Sequence, residues 1–160
     1  MKYEIMIIWK QIAVSLVALV MPYLHIAAKE DRPIQGVIVG VNGTQHLYVD
    51  IGYCFGQRTD WLNSDLIKGY GGLTIGMEIS KQDKIIIAPK LAYSINMFIS
   101  FGVNLLYYTD FSTATLQFRP EIGVSSLGIR AVFGRNFSVG NYEFKGVNKN
   151  NYALTVLIPL

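Results

Sequence analysis

The chain has one cysteine, two histidines and little charge. Cys54 stands alone among 160 residues, which excludes an intrachain disulfide framework. Asp, Glu, Lys and Arg together make only 16% of the residues, against roughly a quarter in an ordinary soluble domain. The formal charge of +3 is spread thinly, and no Lys/Arg cluster provides a nucleic-acid footprint. Beyond residue 28 the one histidine is His46. Serines and carboxylates are present, but no recognised spacing joins them to His46 as a hydrolase would need. Cys54 and His46 lie eight residues apart and would share a strand face, yet two ligands are too few for a metal site. The glycines do not open a helix, so a phosphate-binding loop is not supported. No cofactor is expected.

What is present is a two-residue rhythm. In His46–Gly56 one set of positions reads Leu47, Val49, Ile51, Tyr53, Phe55, and the other reads Tyr48, Asp50, Gly52, Cys54, Gly56. Successive strand side chains point to opposite faces, so one face is greasy and the other small or polar. Apolar residues make 51% of the chain, and 15 glycines accompany them. A strand of about 9–11 residues is also what a tilted strand needs to cross a bilayer.

Eight such segments follow one another: Ile34–Val41, His46–Gly56, Tyr70–Ser80, Lys84–Ser94, Met97–Tyr108, Thr113–Ser125, Leu127–Arg135 and Asn151–Leu160. Asn42-Gly43 is a strong hairpin signal. Pro89, Pro120 and Pro159 lack a ladder donor and belong at bulges or strand ends. Ahead of the strands, Lys2 and Lys10 precede an apolar run from Ile12 to Ala28 that is broken by Pro22 and His25. Residues 1–28 are therefore expected to be a secretory signal helix, with Ala28 before the cut and a bulky Ile26 at −3. A retained membrane helix is the alternative, but no second helical span follows. Residues 29–160 then form one β-barrel domain.

Alternation alone leaves two barrels open. A soluble lipocalin-like barrel places the greasy face inside, and a membrane barrel places it outside. The non-greasy face separates them. Facing water it should be crowded with charge. Here it is dominated by Gly, Ala, Ser and Thr, which suit the crowded interior of an eight-stranded barrel. Its charges are Asp50, Glu78, Lys90, Arg119, Glu121 and Arg130, three acidic and three basic. A sealed lumen needs that balance, because unpaired buried charge is expensive. An internal ion-pair network is expected. Its pairing is open, since Arg119 and Glu121 are neighbours on one strand face and cross-strand pairs are equally available. Glu78 and Glu121 also form a carboxylate pair of the kind used in acid–base chemistry, but a balanced structural network accounts for them better. Aromatics fall near strand ends, among them Tyr53, Phe55, Tyr93, Tyr107, Phe133 and Tyr152, as in interfacial girdles.

Strand number, strand length, alternation and a charged face around Asp50, Glu78, Lys90, Arg119, Glu121 and Arg130 resemble the small eight-stranded outer-membrane barrels of the OmpA/OmpX type over residues 34–160. The segment Phe118-Arg119-Pro120-Glu121-Ile122-Gly123 resembles stretches of small barrels from Bacteroidetes-type bacteria. The resemblance is architectural and carries over no functional residue. It implies an all-β, antiparallel, up-and-down transmembrane barrel in a Gram-negative outer membrane, monomeric and in contact with lipid. The C-terminal Leu157-Ile158-Pro159-Leu160 departs from the aromatic last residue common in such barrels. Three of the expected outer loops (42–45, 80–84 and 109–112) are shorter than usual there.

Two segments offer contacts to a periplasmic or extracellular protein or a glycan. Residues 136–150 carry Tyr142 and Phe144, and 57–68 carry Trp61 in what reads as a plug or collar at one mouth. The expected role is structural or interaction-based and non-catalytic. The alternatives are a secreted soluble barrel binding a small apolar ligand against its Leu/Val/Ile face, and a lipid-modifying barrel enzyme.

Overall fold

A chain whose apolar residues recur at every second position buries one face only by curling its sheet, and a sheet of this length removes its edges by closing on itself. The computed structural model describes residues 32–60, 68–140 and 144–160. The expected signal, Trp61 and Tyr142 lie outside the described residues. The strands are β1 (Arg32–Gly43), β2 (Leu47–Asp60), β3 (Lys68–Lys81), β4 (Ile85–Asn96), β5 (Ile99–Thr109), β6 (Ala114–Ser126), β7 (Ile129–Arg135), the short β8 (Phe137–Ser138) and β9 (Asn150–Pro159). β7 and β8 are one stave interrupted at Asn136, since both pair with β6 in a single register. Each stave pairs antiparallel with its chain neighbours, and β9 returns to β1, so eight staves close a barrel.

The register fixes the geometry. From Pro33 the paired residues run through Gln57, Gly71, Ile95, Phe101, Ile122, Phe133 and Tyr152 and return to β1 at Gly43, ten residues along. With about 3.3 Å per residue and 4.8 Å between strands, this stagger corresponds to a strand tilt of about 40°. The turns 44–46, 82–84 and 110–113 and the 139–149 connection gather at one end, called here the loop end. The 97–98 and 127–128 turns and the start of β1 gather at the other, the terminal end.

The Leu/Val/Ile face lies outside. Val39, Val49, Ile51, Ile75, Met77, Leu91, Phe101, Ile122, Leu154 and Val156 are 40–56% exposed, while Asp50, Glu78, Lys90, Arg119, Glu121 and Arg130 are 0–9% exposed. Small residues permit the tight curl. A Cβ on Gly56 would sit 2.1 Å from the Gly71 carbonyl oxygen and 2.6 Å from the Gly72 Cα on the facing strand.

Three local expectations are corrected. Asn42 and Gly43 are not the turn of the first hairpin but its last paired residues, and residues 44–46 make the turn. Leu127 does not begin a strand. Leu127 (φ +50°) and Gly128 (φ +83°) are the two turn residues between Ser126 and Ile129, both left-handed, as the twist of a tight hairpin demands. Pro89 and Pro120 lie inside strands, and the ladder yields around them. The β4–β5 pairing skips residues 88–89, and β6 faces the break at Asn136 across residues 119–120. Pro159 is the last residue of β9.

At the loop end Asp110 organises the β5–β6 turn. Its carboxylate accepts the Thr113 amide at 2.7 Å and the Ser112 amide at 3.0 Å and meets Lys84 at 3.0 Å. The Thr113 bond, followed by Lys84, holds this carboxyl well below the usual range.

Candidate functional site: the charged lumen and its strap

The inward parity of β2, β3, β4, β6 and β7 brings all six charged positions into one lumen. Asp50 and Glu78 are direct partners in the β2–β3 register, which sets two carboxylates side by side. Like charges so placed repel, and two cations resolve the conflict. Lys90 pairs with Asp50 and stands 4.0 Å from Glu78. Arg119 pairs with Glu78 through Nη2 and reaches its other oxygen from Nη1 at 3.3 Å. Arg119 Nε donates to Glu121 at 2.9 Å, and the second oxygen of Glu121 meets Arg130 at 2.8 Å. The series Asp50–Lys90–Glu78–Arg119–Glu121–Arg130 is thus continuous, alternating in sign and neutral. It uses both the neighbouring pair on β6 and the cross-strand pairs that the sequence leaves open.

Neutral groups extend the network. The Tyr108 hydroxyl donates to Glu78 at 2.8 Å. Asn104 donates to the Arg119 carbonyl at 3.2 Å. Arg130 Nε donates to Ser100 at 2.7 Å, Ser100 donates to Asn96 at 2.6 Å, and Asn96 donates to Ser94 at 2.8 Å. Asp50 Oδ1 has no protein partner. Beside it a cavity of about 20 Å³ is lined by Asp50, Lys90, Glu121, Arg130, Thr74 and Tyr70. That volume accommodates about one water molecule.

Apolar clusters close the lumen on both sides of the charges. Cys54, Tyr70 and Leu157 pack with Ile34 and Ile38 toward the terminal end. Tyr48, Ile86, Ala88, Leu106 and Tyr108 pack toward the loop end, and Phe144 and Val147 complete that cluster. Tyr48 and Tyr108 meet edge to face with centroids 5.7 Å apart.

Phe144, a candidate for outside contact on sequence, is 7% exposed and fills the loop-end mouth. Residues 144–148 form a strap held by polar bonds. Tyr48 donates to the Gly146 carbonyl at 2.6 Å, and Gln82 does so at 3.1 Å. Asn148 Oδ1 accepts the Gln45 and His46 amides at 3.0 and 3.2 Å, and its Nδ2 donates to the His46 carbonyl at 2.8 Å. Asn136 clamps the strap from the other side, donating to the Asn148 carbonyl at 2.7 Å. These bonds explain why the first turn takes three residues and not two: Asn148 supplies partners that a two-residue turn would supply itself. Asn148→Ala is expected to release the strap while leaving the barrel closed. Loss of about 1.4 kcal/mol or more from these bonds raises amide exchange at Gln45 and His46 at least about tenfold. Unchanged exchange there would contradict the latch.

The residues weighed for chemistry do not share one place. His46 lies in the loop-end turn, whereas Cys54 belongs to the terminal-end cluster. Glu78 and Glu121 are both engaged by Arg119. Among the described residues no three His, Cys, Asp or Glu side chains gather as a metal site. The sequence places Tyr48 on the inner face, but for the strap it offers only an asparagine-rich loop end.

No family model, no curated protein and no solved structure matches this chain.

Proposed function

We propose that the protein is a monomeric outer-membrane β-barrel with a sealed, packed lumen and a structural or interaction role, not a catalytic one. The observation that carries this reading is the reversal of the soluble pattern. The wall is apolar all round and the interior is charged. Among the described residues, the outward positions of the staves carry charge only at Lys81 and Arg135, both toward the loop end. From Leu47 to Phe55 the outward apolar positions of β2 span about 26 Å along the strand, or about 20 Å along a barrel axis inclined at 40°. That approaches the apolar band of about 25 Å in outer-membrane barrels. Aromatics lie toward both ends of the band, with Tyr53, Phe55, Tyr93 and Phe101 in its terminal-end half and Tyr107, Phe118, Phe137 and Tyr152 in its loop-end half. Such a belt exceeds by far the apolar patches that monomeric soluble proteins expose.

The soluble ligand-binding alternative needs the Leu/Val/Ile face inside around a cavity, and that face lies outside here. An open pore is disfavoured by the packed network and by a barrel of eight staves. A closed sheet offers no free edge for strand addition, which favours a monomer. A periplasmic or extracellular protein or glycan remains the proposed kind of partner, approached through the connections at either mouth.

The reading is tested by reconstitution into phospholipid vesicles loaded with a small sugar. The protein is expected to stay with the vesicles through an alkaline carbonate wash and to leave the sugar trapped. Release into the wash contradicts the membrane reading, and sugar leakage contradicts the sealed lumen.

A further inference from the structure

Two terminal-end turns present bare apolar side chains with no charge beside them, unlike the loop-end β5–β6 turn, where Phe111 (76% exposed, φ +65°) stands next to Asp110. The β4–β5 turn places Phe98 72% exposed, and the β6–β7 turn places Leu127 97% exposed. Leu127 does so at φ +50°, a left-handed conformation that a Cβ disfavours and that Asn or Gly adopts with less strain. A strained backbone that presents a bare leucine prompts the question of what the leucine meets.

Three observations point to lipid. First, the turns carry no charge. No Asp, Glu, Lys or Arg occurs from Leu91 to Thr109 or from Ile122 to Ile129, whereas a protein-docking surface ordinarily has a polar rim. Second, several of their backbone groups are bonded within the barrel, which lowers the cost of entering a water-poor layer. The Phe98 carbonyl accepts the Ser125 amide at 3.1 Å, and the Met97 carbonyl accepts the Ser125 hydroxyl. The Gly128 carbonyl accepts the Leu157 amide at 2.8 Å, and the Met97 amide donates to the Ile99 carbonyl at 3.2 Å. Third, Phe98 and Leu127 continue the outer belt directly, through Ile99, Val124 and Ile129, which are each 49–52% exposed. On the other side of the barrel the terminal edge is polar. There Gln35 and Gln57 are the outward residues, and β2 and β3 stay paired for three further positions to Asp60↔Lys68.

We infer that the turns carrying Phe98 and Leu127 are a lipid-embedded foot, seated at the acyl–headgroup boundary, while the β2–β3 extension stands clear of the membrane on the same side. The barrel is thereby seated asymmetrically, with its β5–β7 sector as the anchored one. This inference rests on the membrane reading above.

The test is a nitroxide depth measurement in phospholipid vesicles of the full chain carrying Cys54→Ser. Labels are placed singly at Leu127→Cys, at the mid-belt position Ile51→Cys and at the extension position Gln57→Cys. Folding of each variant is checked by its gel mobility before and after boiling. Labels at Ile51 and Leu127 are expected to be relaxed by oxygen and to lose relaxation by a water-soluble nickel chelate, while the label at Gln57 keeps it. A Leu127 label that responds to the chelate as Gln57 does, with Ile51 still in lipid, overturns the foot alone. So does a Leu127 label shielded from both reagents, which would indicate a protein partner or a second copy. Chelate access at Ile51 overturns the membrane reading itself.

Discussion

Arg119→Leu is expected to destabilise the barrel by about 3–5 kcal/mol, the usual cost of leaving a buried charge without its partner. Arg119 is 1% exposed and holds two carboxylates, Glu78 and Glu121. Without it the lumen keeps Lys90 and Arg130 against Asp50, Glu78 and Glu121, one negative charge in excess. Lys90 then faces both Asp50 and Glu78, which are register partners. The double replacement Arg119→Leu with Glu78→Leu is expected to recover most of the loss. It leaves two neutral pairs, Asp50–Lys90 and Glu121–Arg130, and apolar replacement of a whole buried pair is often neutral or better. Arg119→Lys should fall between, because one ammonium cannot present the planar fork that serves two carboxylates. Urea unfolding in detergent micelles measures all three. A midpoint for Arg119→Leu equal to the parent's would sink the account of the lumen as a coupled network.

Ile51→Arg is the second large effect, and its size depends on what lies outside the wall. Ile51 is 46% exposed in the middle of the outward row of β2. In lipid an arginine near the midplane costs about 2–4 kcal/mol, falling to about 0–1 kcal/mol near the interface. In water a substitution at such a surface position typically stays within about 0.5 kcal/mol. Gln57→Arg, beyond the apolar band on the same strand, is the control and should cost little in either solvent. Refolding the parent and both variants into lipid bilayers, with urea titration of each, reads the difference. Equal stabilities for Ile51→Arg and Gln57→Arg would mean that the wall faces water.

Much of this architecture is legible in the sequence because a strand has a period of two. Once Asp50 is assigned inward, Tyr48, Gly52 and Cys54 follow, and the same rule collects Glu78, Lys90, Arg119, Glu121 and Arg130. The sign balance of those six anticipates a neutral interior, but their pairing depends on cross-strand register, which a local pattern does not encode. That Asp50 faces Glu78, and needs Lys90 and Arg119 around the pair, emerges only when β2 and β3 are aligned. The stagger of ten residues is long-range for the same reason. Leu127 misleads because it keeps the apolar alternation going into Ile129 and carries none of the usual turn chemistry. Its place between the paired Ser126 and Ile129, at positive φ, identifies it as a turn residue. Asn42-Gly43 misleads in the opposite sense. Its turn chemistry is strong, yet Asn148, about a hundred residues away, moves the turn onward. The strap is not periodic at all, so the burial of Phe144 in the mouth has no local signature.

The central claim is a closed barrel whose apolar wall lies in an outer membrane. Cell fractionation, with the detergent-extracted protein run on a gel boiled and unboiled, addresses it most directly. The account predicts recovery in the outer-membrane fraction and a mobility that changes on boiling, because a closed hydrogen-bonded barrel resists detergent until heated. Recovery in a soluble fraction, with one mobility under both conditions, would contradict it.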